Sequence, residues 1–546
     1  TAACACMHTH DADTHTVVDR TAMAEEALCK LGDDAGWRST VARWRRRALA
    51  AGRLWPWRLG SLLVHVAYFL AVSWFGYLLL AQLRFRGERP RRIDTFFTAV
   101  SAATVSSMST VQMEAFSNGQ LLVLTALMFV GGEVFISLLG LASKWSKLRK
   151  ESVHKSRRVE VVTEELEMAS VADVGDVDNP TPVYADDISS TTKRLRRDAV
   201  RALFFVVLAI FWAVHVLGAA AVAAYMYASP GARQTLRGKA LNVWTFAVFT
   251  TVSTFSSCGF MPNNENMVVF KRDTGLQLLL VPQALVGNTL FPPLLAACVR
   301  AAAAATRRPE LVEMTKKGRE LTGYYHLLPA WRCVMLAATV ASFIGVQVTM
   351  LCAMEWGRAL QGMSPWDKVS NALFLAVNSR HTGESTIDIS TLATAILVVF
   401  VLMMYLPPYT TWFPFEESII STKQGDRPKE SQGIRWFKST VLSQLSYLAL
   451  FVIAICITER EKLREDPLNF NLLSIVVEVV SAYGNVGFSM GYSCSRQINP
   501  DQLCTDMWTG FVGRWSDSGK LILILVMLFG RLKKFSMKGG KAWKLS

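Results

Sequence analysis

The sequence predicts an all-α integral membrane protein, with eight transmembrane helices forming four helix–pore loop–helix repeats around one central pore. Three observations carry that expectation. The chain is 51% hydrophobic and only 18% charged, against about 25% charged residues in ordinary soluble domains. Apolar runs of about the 20 residues needed to cross 30 Å of hydrocarbon recur along its length. Between alternate pairs of runs lies a stretch too apolar for a free loop and too short to cross.

Taken in order, residues 1–58 read as a cytosolic tail, since they lack an apolar core of signal-peptide length and carry Arg43, Arg45, Arg46 and Arg47. The apolar runs are 60–83, 119–142, 199–228, 276–305, 330–354, 390–413, 439–457 and 520–530. They divide the chain into a first repeat at 59–142, a cytosolic linker at 143–198, a second repeat at 199–305, a loop at 306–329, a third repeat at 330–415, a loop at 416–438 and a fourth repeat with a cytosolic C-terminus at 439–546. The linker, with Asp, Val and Pro between Val171 and Asp187 and no apolar stripe, is expected to be flexible.

Charge sets the expected orientation. Basic residues gather before the first run, in 143–198, 306–329 and 416–438, and after Gly530, as the positive-inside rule requires of a multi-pass chain with both termini cytoplasmic. Arg84, Arg86, Arg89, Arg91 and Arg92 break the pattern on the outer side. The net charge of +15 therefore sits between membrane spans and forms no soluble face for nucleic acid; the partner implied is the lipid bilayer.

The stretches between paired runs share a plan: a short apolar helix, then a Ser/Thr/Gly-rich bend, then a polar exit. Irregular backbone at membrane depth is tolerated only where it is buried in protein or lines water, so four such bends call for a common polar axis. Carbonyls ringed around such an axis can replace the hydration shell of a cation. Aligned on glycine, the bends read Ser257-Cys258-Gly259, His381-Thr382-Gly383 and Asn485-Val486-Gly487, while Val105-Ser106-Ser107 puts a serine at the shared position. Candidate filter positions are thus Ser107, Gly259, Gly383 and Gly487. The candidate carbonyls are those of Val105, Ser106, Ser257, Cys258, His381, Thr382, Asn485 and Val486.

Other groups have simpler readings. Arg380 and His381 are expected to orient their loop by hydrogen bonds, Glu133 to need a partner within the protein, and Lys533 and Lys534 to snorkel toward the cytosolic interface. Leu406-Pro407-Pro408 must break the sixth run. Of the ten cysteines, Cys494 and Cys504 share an expected outer loop and could pair in an oxidising exterior. No nucleophile and base pair, Walker loop, ATP-binding domain or metal-ligand spacing emerges, so neither an enzyme nor a cofactor is expected.

Several of these segments resemble the plant HKT transporters of the Trk/Ktr/HKT superfamily, over about 60–546. The resemblance rests on Val105-Ser-Ser-Met-Ser-Thr-Val-Gln-Met-Glu-Ala-Phe-Ser, Gly131-Gly-Glu, Cys258-Gly-Phe-Met-Pro-Asn-Asn-Glu-Asn, Asn378-Ser-Arg-His-Thr-Gly-Glu and Gly530-Arg-Leu-Lys-Lys-Phe. It implies a plasma-membrane homodimer in which Ser107 marks the sodium-selective subgroup, with Na+ held at the filter and moving down its electrochemical gradient. Four glycines would mark potassium-permeable relatives. The resemblance also implies that Arg531 faces the pore below the filter as an electrostatic barrier, and that Tyr405, Leu406, Pro407 and Pro408, in the segment running to Thr411, form a gate. A potassium transporter or a sodium/potassium symporter is the alternative within the family; a coupled carrier of an organic substrate is the alternative outside it.

Overall fold

A computed structural model describes residues 63–170, 183–411, 444–498, 504, 506–507 and 510–536. The described residues from Val66 onward pack as one unit, and before them only Leu63, Val64 and His65 are described, all helical. The described residues are helical apart from loops and an isolated bridge between Tyr492 and Met507.

In chain order the helices are α1 (Leu63–Gln82), α2 (Arg92–Ala103), α3 (Asn118–Gly131), α4 (Glu133–Ser170), α5 (Val183–Ala228), α6 (Pro230–Gly238), α7 (Val243–Phe255), α8 (Thr274–Gly287) and α9 (Phe291–Thr306). There follow α10 (Pro309–Thr322), α11 (Ala330–Glu355), α12 (Pro365–Asn378), α13 (Thr394–Tyr405), α14 (Gln444–Thr458), α15 (Arg460–Glu465), α16 (Leu472–Gly484) and α17 (Asp517–Ser536). Each apolar run of the sequence is occupied by helix. Leu63–Gln82, Thr191–Ala228 and Ala330–Glu355 are long and apolar enough to cross a bilayer unbroken. Their many lipid-exposed apolar side chains, among them Trp74, Phe75, Trp212, Leu217 and Val334, belong to a helical membrane protein.

Two expectations need correction. Two runs expected to be continuous are bent pairs: α3 and α4 meet at 55° and α8 and α9 at 82°. Gly131 and Gly132 loosen the first junction; Asn288, which closes α8, and Pro292 and Pro293, which open α9, set the second. The described parts of the expected linker are helical, since α4 continues to Ser170 and α5 starts at Val183, while residues 171–182, where Asp, Val and Pro gather, lie outside the described residues. Its Lys, Arg, Glu and Leu residues are strong helix formers, and the missing apolar stripe argues only against packing. The break expected at Leu406-Pro407-Pro408 is present: the sixth run holds a helix of 12 residues, α13, which stops at Tyr405.

The short helices α2, α7, α12 and α16 sit where the sequence places the re-entrant stretches. Close approach by glycine seats them. A methyl at Gly131 would overlap the Ala103 carbonyl, one at Gly287 the Phe255 carbonyl, and one at Gly530 the Tyr483 carbonyl. In three of the four repeats, then, a glycine of the second long helix rests on the main chain four residues before the filter position. The third repeat differs: there Gly484 of α16 rests on the Met404 carbonyl of α13.

Candidate functional site

Local sequence fixes how each short helix begins and ends. Asn242 caps α7 by accepting from Trp244 N at 2.8 Å, Ser364 caps α12 by accepting from Asp367 N at 3.2 Å, and Asn471 caps α16 by accepting from Ser474 N at 2.8 Å. Helix α2 instead carries Asp94 in its first turn, a carboxylate at the positive end of the helix dipole. All four run C-terminally into a bend, so each bend lies at the negative end of a dipole, which favours a cation.

The bends share an unusual backbone. Left-handed residues occur at alternate positions: Val105 (φ 52°) and Ser107 (53°), Ser257 (61°) and Gly259 (91°), Asn485 (47°) and Gly487 (104°). Alternating hand turns successive carbonyls toward one side, where a strand would send them to opposite sides. Each of these three bends closes with the same bond across five residues: Ser106 N to Ser101 O at 2.8 Å, Cys258 N to Ser253 O at 2.9 Å and Val486 N to Ser481 O at 3.0 Å. The hydroxyls of Ser253 and Ser481 also accept from Gly259 N and Gly487 N, both at 3.0 Å. The third bend departs from the plan. Only Gly383 is left-handed there (φ 68°), and the closing bond shifts by one residue, from Gly383 N to Asn378 O at 3.0 Å.

The structure brings the four bends into mutual contact at the aligned positions. A methyl on Gly259 would overlap the Thr382 carbonyl of the third bend. One on Gly383 would come within 2.5 Å of Val486 O in the fourth. One on Gly487 would overlap Ser107 Cβ in the first and lie 3.2 Å from Cys258 O in the second. Glycine is therefore required twice over at these positions, by φ and by space. Ser107 is the one member carrying a side chain, and that side chain stands against Gly487. Thr382, Val486 and Cys258, expected as carbonyl donors, thus turn their oxygens to neighbouring bends. Outside the ring, Gly383 and Gly487 share a small recess with Glu265, Asn266 and Asp388.

His381 is buried and held on both ring nitrogens, by Thr289 Oγ1 at 2.8 Å and Val377 O at 2.5 Å. Arg380 donates to the Pro407 and Pro408 carbonyls and lies over the Phe343 ring. These two residues thus orient the third bend, as expected from sequence.

Arg531 is 2% exposed, donates to the Gly131 carbonyl and lies 5.9 Å from the Phe69 ring centroid. Its head group is directed into the protein at the α3–α4 bend. Glu133 opens α4, with its carboxylate in the favourable first turn. Tyr325 Oη donates to it at 3.5 Å, and His326 Nε2 lies 4.0 Å away. A cavity of about 50 Å³ nearby is lined by Glu133, Tyr405, Pro407, Pro408, Lys533 and Lys534, among others. Both lysines thus border this cavity, and three of the four expected gate residues do too. Leu406 ends α13 in extended conformation, while Tyr409 beyond it is bonded to His326 Nδ1 at 2.6 Å.

On the outer rim, Lys239 Nζ meets Glu114 Oε1 and Glu265 Oε2, each at 2.6 Å, joining the first two repeats. Burial disfavours its ammonium, but the two carboxylates outweigh this and hold its pKa above the usual lysine value. Cys494 and Cys504 form a disulfide with a Cα–Cα distance of 5.9 Å.

Sequence reasoning missed the serines at 253 and 481 and the glycines at 131, 287 and 530. Aligning the repeats beyond the bends themselves would have found the two serines, each six residues before its filter glycine; the glycines lie at different distances from the filter positions. It also missed the buried pair of Asp94 and Lys520, 2.7 Å apart, which no local pattern announces.

Among known proteins, the family model described as TrkH, cation transport protein, matches residues 189–538. The chain is 71% identical over 509 residues to "Probable cation transporter HKT1;4" of Oryza sativa subsp. japonica, covering 92% of this chain and 99% of that one. It is 45% identical over 461 residues to "Sodium transporter HKT1" of Arabidopsis thaliana, covering 84% and 90%. A crystal structure of the potassium transporter TrkH from Vibrio parahaemolyticus aligns over 87% of this chain and 83% of its own, with a TM-score of 0.47 and 16% identity.

Proposed function

The chain belongs to the plant HKT group of the TrkH cation transport family, and from that premise we propose that this cation transporter is selective for Na+. The ion moves passively through a filter built from Ser107, Gly259, Gly383 and Gly487. The observation that carries the reading is the Ser107 side chain, which stands against Gly487 where each of the other three bends has a glycine. A single Cβ and hydroxyl narrow one quarter of a carbonyl ring and disfavour the geometry that suits the larger K+. The printed name of the Arabidopsis relative, a sodium transporter, supports the same reading.

In this reading the transporter works as a homodimer in the plasma membrane, with eight spans and both termini cytoplasmic. Arg531 serves as the electrostatic barrier beneath the filter, and the Tyr405–Thr411 segment as the gate. Burial of the guanidinium beside Gly131 supports the first role. The early stop of α13 and the cavity beside Pro407 and Pro408 support the second. Driving force comes from the gradient and the membrane potential, about 2.3 kcal/mol per charge per 100 mV.

Currents in oocytes expressing the chain, recorded while external Na+ and K+ are exchanged, test the proposal. Reversal potentials that follow Na+ and ignore K+ are expected. Reversal potentials that follow both ions equally would contradict Na+ selectivity.

A further inference from the structure

We infer that Glu384 is a specificity-determining residue that supplies a fixed negative charge beside the filter and thereby sets the affinity for the entering cation. The residue following each filter position is Met108, Phe260, Glu384 or Phe488, and all four side chains are buried. Three repeats fill this position with an apolar group; the third fills it with a carboxylate that is 0% exposed.

One of its oxygens, Oε1, accepts from Thr254 Oγ1 of α7 at 2.6 Å, across 130 residues. The other, Oε2, is buried without a hydrogen-bond partner. Among the described residues no Lys, Arg or His pairs with it. A carboxylate held this way by one neutral hydroxyl is strongly disfavoured unless a positive charge comes near.

The main chain shows where that charge would be. Glu384 adjoins Gly383, and its own N would lie 3.5 Å from a methyl placed on Gly259. The carboxylate therefore belongs to the seam between the second and third bends, at the ring itself. A monovalent cation in the ring is the counter-charge that none of the described residues provides.

The inference rests on the filter reading above, and the experiment separates failure of the one from failure of the other. Glu384→Gln keeps an oxygen that can accept from Thr254 and removes the charge; Thr254→Val removes the bond and keeps the charge. In oocytes, with surface protein quantified, E384Q is expected to raise the external Na+ concentration giving half-maximal current about tenfold. T254V should leave it within about twofold, since the charge stays in place.

An unchanged E384Q, or a T254V shift matching that of E384Q, would overturn the role of the charge and leave Glu384 a brace between bends. If E384Q does not reach the surface, T254V alone decides, because an unshifted value excludes the brace and a shifted one overturns the inference. Wild-type current that does not discriminate Na+ from K+ would instead count against the filter reading.

Discussion

The side-chain amide of Asn485 donates to the hydroxyl of Ser106 at 2.8 Å, joining the fourth bend to the first across 379 residues of sequence. The same nitrogen reaches Met527 O at 3.2 Å and Ala482 O at 3.3 Å, and Ser106 Oγ lies 2.8 Å from Thr104 Oγ1. Ser107 is therefore set in place by its chain neighbour as well as by its contact with Gly487.

Asn485 also occupies a left-handed conformation (φ 47°), which asparagine tolerates better than alanine does. Asn485→Ala should lose both the amide bonds and the backbone fit, lowering stability by roughly 2–4 kcal/mol. Asn485→Gly should lose only the bonds and fall in between. Thermal unfolding of the protein in detergent checks the order; equal losses would exclude the backbone contribution.

Lys520 of α17 is 0% exposed and pairs at 2.7 Å with Asp94 of α2, itself nearly buried, 426 residues away. Asp94→Asn strands the buried Lys520 ammonium and should cost about 3–5 kcal/mol, whereas Lys520→Met leaves Asp94 its second partner, Arg91 at 3.0 Å, and should cost less. The double variant should recover much of that loss. The same unfolding measurement on the three variants reads the coupling, and strictly additive losses would argue against it.

The Cys494–Cys504 disulfide closes a loop with a sequence separation of 10, beside the Tyr492–Met507 bridge. Cys494→Ser should lower stability by about 2–3 kcal/mol and leave the ratio of Na+ to K+ permeability unchanged. A shift in that ratio would show that the outer loop acts on the filter.

The long apolar helices were legible because hydropathy is a local signal, and so were the bends, where Ser, Thr and Gly interrupt apolar stretches at four corresponding places. The interior of the site was less so. Nothing in the sequence marks Val105 as left-handed, since β-branched residues normally avoid positive φ; its conformation is imposed by closure of the bend. The 55° break at Gly132 and the 82° break near Asn288 fall within stretches whose hydropathy suits a straight span. Lys193 to Arg197 fall in the expected linker because an apolar stripe is missing there, although these residues favour helix wherever no packing is demanded. The bonds of His326 to Tyr409 and of Arg380 to the Pro407 carbonyl depend on tertiary placement alone.

The most direct test of the account is the potassium-to-sodium permeability ratio of wild type and Ser107→Gly, taken from reversal potentials in oocytes. Removing the one side chain that stands against Gly487 should raise the ratio by roughly tenfold, equivalent to about 1.4 kcal/mol. A Ser107→Gly variant that conducts at the surface with the wild-type ratio would contradict the assignment of Ser107 as the residue that sets selectivity.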